Sequence, residues 1–168
     1  MLLLSANADD TIHLLIDREI RQIEHGLSLT EHPLQLVFKT CDIETLPELR
    51  RAIQGHQPQI LHFRGNGQDG LYFAEQEGPS QLVPADVLSA FFNLFSAQVQ
   101  GVLLNACYSE MQALAIAQHI DYVIAMNGDI SDQISLTFMV TFYEGLSDGK
   151  QIEAAYRAAC LKIMLFGV

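Results

Sequence analysis

Short apolar segments alternate with amphipathic segments along the whole chain, and this alternation restricts the fold more than any other feature. The apolar segments have the length of β-strands and are apolar on both faces, whereas the others repeat apolar residues at helical spacing. Strands buried on both faces and separated by helices are typical of parallel sheets. The sequence therefore predicts an α/β fold, a mostly parallel sheet with helices on both faces. The main predicted strands are residues 2–6, 34–40, 59–63, 101–106 and 122–126, and a helix over 44–55 is predicted to stop at Gly55.

The size and composition of the chain indicate one globular domain over residues 1–168. Of its 168 residues, 49% are apolar and 17% are charged, which is enough apolar material for one core. No apolar run approaches the roughly 20 residues of a membrane-spanning helix. The opening MLLLSAN is too short for a signal-peptide core. We therefore expect a cytoplasmic protein with no membrane partner.

The charge of the chain restricts its partners. Nine basic and twenty acidic residues give a net charge of −11, which argues against a nucleic-acid partner. No Lys or Arg occurs between Arg64 and Lys150, a stretch that contains Asp69, Asp129 and Asp132. A site built in this stretch would favour cationic ligands, whereas a solvated acidic surface is the alternative explanation.

The three cysteines, Cys41, Cys107 and Cys160, form neither a disulfide framework nor a zinc-binding pattern. Cys107 is the best candidate nucleophile because it lies between a buried strand and the start of a helix. Backbone N–H groups and the helix dipole stabilise a thiolate at such a position. The alternative is that Cys107 is a small buried apolar residue. Cys41 and Cys160 are predicted to be structural.

Three predicted strands end in segments rich in glycine and polar residues, namely HFRGNG at 62–67, NACYS at 105–109 and NGDISD at 127–132. Ligands of open α/β sheets bind outside the carboxyl ends of the strands, so we expect these segments to converge. The RGNG string lacks the lysine of a P-loop, which disfavours a nucleotide site. Its glycines, Gly65 and Gly67, allow the backbone to approach a ligand closely.

The strings PQILHFRGNG, GVLLNACYSEMQA, IDYVIAMNGDISD and FYEGLSDG follow one another in this order. Together they resemble a CHAT domain, a caspase-like cysteine peptidase domain common in bacteria and related to caspases, separase and gingipains. The resemblance spans nearly the whole chain. It implies a three-layer caspase-like sandwich and a His/Cys dyad, with no metal or organic cofactor. The acidic residues leave a calcium site of the metacaspase kind open as an alternative.

The resemblance places the nucleophile at Cys107 and the dyad histidine, the centre of a Gly-His-Gly triplet, at Asn66. An asparagine amide neither takes the proton of the thiol nor gives one to the leaving amine. Loss of the base commonly costs several orders of magnitude in rate, so peptidase activity is expected to be very low or absent. Asn66 is either native, giving a pseudo-peptidase, or a deliberate replacement of the histidine, and both origins stay open.

Three further roles follow from the resemblance. The backbone N–H groups of Gly67 and Cys107 are expected to form the oxyanion hole, and Gly65 lets the loop turn. His62 lies four residues before Asn66, roughly 13 Å along an extended strand, so it cannot replace that residue without a rearrangement. A supporting role is implied for His62, and a packed strand-end histidine is the alternative.

Asp129 and Asp132 are the candidates for binding a basic side chain of the substrate, in preference to Asp69. Relatives that cleave after Arg or Lys use a carboxylate in the pocket, and both residues follow the strand after the nucleophile. A buried carboxylate can pair bidentately with an arginine. Either residue is equally well explained as the cap of a helix that begins near Ile130.

The expected partners are a protein or peptide substrate, together with adaptor or regulatory domains of a bacterial signalling or defence system. The alternative function is a non-catalytic module that binds a peptide or partner domain through the same fold, and Asn66 is the feature that favours it. A flavodoxin-like nucleotide-binding protein is a third possibility, which rests on the fold class alone.

Overall fold

The computed structural model describes residues 1–6, 20–26, 37–64, 70–74, 79–105, 109–126, 128 and 130–165. The described residues belong to two compact units. The first lies within residues 1–13 and 38–129, and the second within residues 14–37 and 130–168.

A five-stranded parallel sheet forms the centre of the first unit. Its strands are β1 (Leu2–Ala6), β2 (Lys39–Ile43), β3 (Ile60–Arg64), β6 (Gly101–Asn105) and β7 (Tyr122–Ala125). Their order across the sheet is β2-β1-β3-β6-β7, so the switch in strand order lies between β1 and β3. Between β3 and β6 the chain forms a separate antiparallel hairpin of β4 (Tyr72–Ala74) and β5 (Ser80–Leu82).

The core of the first unit lies on one face of this sheet. Strand alternation brings every second residue to that face, and three helices pack on it: α2 (Leu46–His56), α3 (Ala85–Asn93) and α4 (Glu110–Ile116). The rings of Phe63 on β3 and Phe92 on α3 meet edge to face, with centroids 6.3 Å apart. Burial of each such side chain contributes about 1.5–3 kcal/mol. Among the core residues are Leu2, Leu4, Leu49, Ile53, Leu61, Phe63, Leu88, Phe92, Val102 and Leu104.

The second strand lies later in the chain than predicted. The prediction of 34–40 rested on the apolar residues that end at Val37, but Val37 is 58% exposed and β2 begins at Lys39. This strand is at the edge of the sheet and pairs with β1 in the register Leu2↔Lys39 to Ala6↔Ile43. Most of its side chains are exposed, so backbone pairing with β1 fixes its position and the apolar pattern does not.

The predicted glycine stop of α2 is also wrong. Gly55 lies inside the helix, and Gln57 instead adopts the left-handed conformation at the C-cap, with φ of 47°. The N–H of Gln57 donates to the carbonyl oxygen of Ile53 at 2.9 Å. The start of α2 is a capping box, in which Thr45 Oγ1 accepts from the Glu48 N–H and Glu48 Oε2 accepts from the Thr45 N–H.

The second unit is helical in its described part. Its described helices are α1 (residues 20–26), α5 (Asp132–Ser147) and α6 (Ile152–Met164). Helices α5 and α6 pack closely at Gly145, where an added Cβ would lie 3.0 Å from the Cβ of Ala155. The rings of Phe138 and Tyr156 join the same two helices, with centroids 5.9 Å apart. Of the helices in the described ranges, none is both long enough and apolar enough to cross a membrane.

The predicted fold class is confirmed. The chain combines a parallel sheet with helices in a mixed α/β architecture that is compatible with a caspase-like sandwich. The assignment of residues 1–168 to a single domain stays a prediction.

Candidate functional site

The three polar strand-end segments follow three strands that are consecutive in the sheet. β3 and β6 are parallel neighbours whose last residues, Arg64 and Asn105, are partners in the register. β7 lies next to β6, with Leu104 opposite Ala125. The segments that begin at residues 65, 106 and 127 therefore follow three adjacent strands at the carboxyl-terminal edge of the sheet. This is the edge at which ligands of open α/β sheets bind.

Five of the predicted site residues lie outside the described residues. They are Gly65, Asn66, Gly67, Cys107 and Asp129. Their roles as loop turn, base position, oxyanion donor, nucleophile and substrate-binding carboxylate stay predictions. The structure describes the strands that precede these residues and the contacts of residues later in the chain. It also describes His62 and Asp132.

His62 is the third residue of β3 and is fully buried. Leu61 and Phe63, its neighbours along the strand, belong to the core cluster, so alternation directs His62 to the opposite face of the sheet. Its partner in the register is Leu103, which is also buried. This environment is that of a packed histidine inside a strand. A supporting role in the dyad stays a prediction.

Arg64 places a positive charge at the carboxyl-terminal edge of the sheet, where the acidic composition of the chain suggested a negative charge. It is the last residue of β3 and is only 7% exposed. It lies two residues before Asn66 and is opposite Asn105, which lies two residues before Cys107. Burial of a guanidinium is costly unless polar groups contact it, and this requirement constrains the position of the Arg64 side chain.

Asp132 is the first residue of α5 in the second unit and is exposed. The alternative prediction that Asp132 caps this helix is wrong. Ser131 is the N-cap, and its Oγ accepts from the Ile134 N–H at 3.4 Å. Ser131 provides the cap because it occupies the extended position before the helix, whereas Asp132 already lies in the first turn. There a carboxylate interacts favourably with the helix dipole.

The segment after Cys107 is fixed by contacts with distant parts of the chain. Ser109 is fully buried, and its N–H donates to the carbonyl oxygen of Met126 at 3.1 Å, immediately after β7. It is the N-cap residue of α4, but its side chain makes no capping hydrogen bond to the described part of that helix. Three residues later, Gln112 is 5% exposed and points to the β4–β5 hairpin.

Gln112 makes three hydrogen bonds to that hairpin. Its Oε1 accepts from the Leu71 N–H at 2.7 Å, and its Nε2 donates to the carbonyl oxygens of Leu71 and Val83 at 3.2 and 2.8 Å. The sequence patterns did not mark this residue. The available signal is a polar side chain on the buried face of a short apolar helix, where Ala113, Ala115 and Ile116 are also buried.

The other two cysteines have ordinary structural surroundings. Cys41 lies in the middle of β2 with its Sγ 3.5 Å from His56 Nε2. Burial raises the pKa of the Cys41 thiol, and the Asp42 carboxylate raises this pKa further. Cys160 lies on α6, where its hydrogen bond with Tyr156 raises the pKa of the tyrosine. Both thiols are partly buried, and no group of three or more His, Cys, Asp and Glu side chains suited to a metal ion occurs within the described ranges.

A cleft of about 980 Å³ lies beside the hairpin in the first unit. Its lining includes Leu46 and Pro47 at the start of α2, Phe73 and Leu82 on the hairpin, and Val87 on α3. Of the polar residues at its border, Thr45 and Glu48 are engaged in the capping box of α2, and Gln81 lies on β5. The lining is therefore of mixed polarity.

Comparison with known proteins identifies the family. The CHAT domain model matches residues 16–165. A "Roc-COR-CHAT protease" from an unknown prokaryotic organism is 24% identical over 120 residues, which are 67% of this chain and 11% of that protein. A "Probable protease" of Gillisia limnaea is 22% identical over 163 residues, which are 93% of this chain and 28% of that protein. The chain thus spans less than a third of the length of either relative. Because the family model covers most of its residues, the chain belongs to the CHAT domain family of caspase-like peptidases.

Proposed function

We propose that this chain is a cysteine peptidase domain of the His/Cys type in which Cys107 is the nucleophile and Asn66 occupies the position of the base. The observation that carries the proposal is the register between β3 and β6. It pairs Arg64 with Asn105, so the segments with Asn66 and Cys107 follow neighbouring strand ends in a chain of this family. The protease names of two relatives support the same reaction class.

The chemistry of the reaction explains why activity should be very low. The sulfur of Cys107 attacks the scissile carbonyl and forms a thioester, while the amine of the substrate leaves with a proton. A histidine takes the thiol proton and delivers it to this amine, and an asparagine amide does neither. Backbone N–H groups at Gly67 and Cys107 are the proposed donors to the oxyanion. These donors alone would sustain only a residual rate.

The proposed substrate is a peptide with a basic residue before the scissile bond. Asp129 and Asp132 are the proposed carboxylates, because a carboxylate and an arginine form a strong bidentate pair. The buried cation of Arg64 at the end of β3 makes peptides with an acidic residue the informative comparison. A peptide series ending in Arg, Lys, Asp or Ala therefore tests the preference directly.

The test is cleavage of these peptides by the chain with Asn66, by Asn66→His and by the double variant Asn66→His/Cys107→Ala. The chain with Asn66 is called the native chain below, irrespective of the origin of this residue. We expect very low or no cleavage by the native chain, a gain of several orders of magnitude in Asn66→His and its loss in the double variant. Faster cleavage of the Arg and Lys peptides supports the basic preference. Cleavage that persists in the double variant contradicts Cys107 as nucleophile.

The second candidate function is a non-catalytic module that binds a peptide or a partner domain. Asn66 favours it, because an amide at the base position preserves hydrogen bonding while removing proton transfer. Fluorescence polarisation with the same labelled peptides separates the two functions. Tight binding by both the native chain and Asn66→His, without cleavage by either, supports the binding module.

Regulation by other domains is also proposed. The name of one relative places Roc and COR beside CHAT in a single protein, and this chain corresponds to 11% of that protein. We propose that adaptor or regulatory domains control this domain in a bacterial cytoplasmic system. The activity of any longer protein that contains it is part of the same proposal.

A further inference from the structure

A buried glutamine on the helix that follows Cys107 bonds to the base of the hairpin that follows Asn66. We propose that Gln112 is a positioning residue of the peptidase site, which holds the hairpin after Asn66 against the helix after Cys107. The inference rests on the proposed function, because it concerns the geometry between the same two positions.

The contacts of Gln112 include both ends of the hairpin. Leu71 immediately precedes β4 and Val83 immediately follows β5, and the Val83 N–H donates to the Leu71 carbonyl oxygen at 3.0 Å. Gln112 adds its three bonds at the same place, two to Leu71 and one to Val83. All three residues are buried, so water does not replace these bonds readily. One side chain on α4 therefore holds the base of the hairpin.

The contacts require an amide at position 112. A single side chain must accept a hydrogen bond from one N–H and donate to two carbonyl oxygens. Glutamine does both, whereas a carboxylate lacks the donors and an aliphatic side chain lacks every polar atom. Loss of the amide leaves the Leu71 N–H and the Val83 carbonyl buried without this partner, which is costly in a dry environment.

The chain connects these contacts to the dyad positions. Asn66 lies between Arg64, whose position the sheet register fixes, and Leu71, which Gln112 holds. Cys107 lies between Asn105, the register partner of Arg64, and the segment that contains Gln112. The two segments are thus joined twice, once through the sheet and once through Gln112. Loss of the second connection frees the hairpin to shift relative to α4.

The close approach at Gly70 is an independent observation on the same contact. Gly70 has φ of +101°, and a Cβ added to it would lie 2.5 Å from Oε1 and 3.0 Å from Cδ of Gln112. An alanine therefore strains the backbone and displaces the amide of Gln112. Gly70→Ala disturbs the contact from the hairpin, whereas Gln112→Met disturbs it from the helix.

The experiment measures geometry at the site rather than stability. In the Asn66→His background, we would compare Gln112→Met and Gly70→Ala with Gln98→Leu as the matched control. Gln98 is half-buried in the same unit and donates to Ile53 at 3.4 Å, not to the hairpin. The readouts are the pH dependence of iodoacetamide alkylation at Cys107, measured by peptide mass spectrometry, and kcat and KM for an Arg peptide. Urea unfolding confirms that each variant is folded at the assay temperature.

We expect Asn66→His alone to move the alkylation of Cys107 to lower pH than in the native chain, because an imidazolium stabilises the thiolate. Gln112→Met and Gly70→Ala should each reverse this change and lower kcat about 100-fold with little change in KM, the effect of misplacing a catalytic group by about 1 Å. Gln98→Leu should leave the alkylation profile and kcat as they are in Asn66→His.

The outcomes separate the two proposals. If Asn66→His does not move the alkylation profile, the proposed function fails at its base position. If it moves the profile and a folded Gln112→Met or Gly70→Ala keeps both the profile and kcat, the positioning role is overturned while the proposed function stands. An equal loss in Gln98→Leu also overturns it, because the effect is then not specific to the hairpin contact. Gly70→Ala changes the hairpin side of the contact and Gln112→Met changes the helix side. If one variant does not fold, the other still tests the positioning role.

Discussion

Two helices of the first unit, α2 and α4, each follow a strand and a cysteine, but they begin in different ways. β2 contains Cys41 and leads to α2, which begins with its own capping box of Thr45 and Glu48. β6 leads through Cys107 to α4, whose first turn is held by distant contacts of Ser109 and Gln112. The first helix start is determined locally, and the second depends on the assembled fold.

This difference separates a purely structural segment from one suited to chemistry. The capping box pairs the N–H groups of Thr45 and Glu48 locally, and Cys41 on the preceding strand is a thiol whose pKa is raised by burial. The start of α4 is instead tied to the end of β7 and to the hairpin that follows Asn66. Disturbing α2 should therefore cost stability alone, whereas disturbing α4 should cost stability and site geometry.

Gln112→Met should have the largest effect on stability. The substitution leaves two buried backbone groups, the Leu71 N–H and the Val83 carbonyl, without their partner on α4. We expect the free energy of unfolding to fall by about 3 kcal/mol, since each such group costs about 1–3 kcal/mol. Urea unfolding followed by circular dichroism measures this change. A loss no larger than that of Thr45→Ala would contradict the contrast between the two helices.

Thr45→Ala should have a smaller effect that is confined to stability. It removes the Oγ1 acceptor for the Glu48 N–H, and such a cap is worth about 1 kcal/mol. Thr45→Ser retains the hydroxyl and is the matched control. In the Asn66→His background, kcat and the alkylation of Cys107 should stay unchanged. Altered alkylation would show that α2 is coupled to the site.

The Glu48 carboxyl should make a small, pH-dependent contribution to stability. The N–H of Glu44 donates to it, and with the N–H and hydroxyl of Thr45 this holds the pKa of Glu48 below its ordinary value. A lowered folded pKa stabilises the protein above the unfolded pKa, and the contribution is lost as the pH falls through the folded pKa. The side chain is exposed, so we expect less than about 1 kcal/mol above pH 5. The difference in stability between the native chain and Glu48→Gln should shrink below about pH 4, and a difference that grows there would contradict this account.

Asp42→Asn should have the smallest effect. The Asp42 carboxylate adds to the effect of burial in raising the pKa of the Cys41 thiol, so its removal should lower this pKa slightly. Alkylation of Cys41 at mildly alkaline pH should then become faster, with Cys160 as the internal reference in the same spectra. An unchanged rate at Cys41 would leave burial as the only cause.

The sequence predicted four of the five strands of the parallel sheet well because their apolar patterns reflect burial. β1, β3, β6 and β7 lie within about one residue of their predicted positions. β2 was misplaced because most of its side chains are exposed, so its position depends on backbone pairing with β1 and leaves no apolar pattern. The stop at Gln57 and the cap at Ser131 differ from prediction because several residue types compete for each position.

The candidate site was predictable in its location but not in its supporting contacts. Strand ends with unusual residues indicated the edge of the sheet, and the register places two of those ends side by side. The role of Gln112 was not predicted because its partners are backbone groups of Leu71 and Val83, which are far from it in sequence. Backbone groups carry no sequence signal, so only the folded chain reveals this contact.

The most direct test of the central claim is labelling by a peptidyl-arginine chloromethyl ketone, compared between the native chain and Asn66→His by intact-mass and peptide mass spectrometry. The reagent needs a peptide site with a basic preference, a reactive thiolate and a nearby base. We predict a single adduct on Cys107 that forms much faster in Asn66→His than in the native chain. Equal rates in the two proteins, or adducts on Cys41 or Cys160 instead, would contradict the claim that Asn66 stands in place of the base for Cys107.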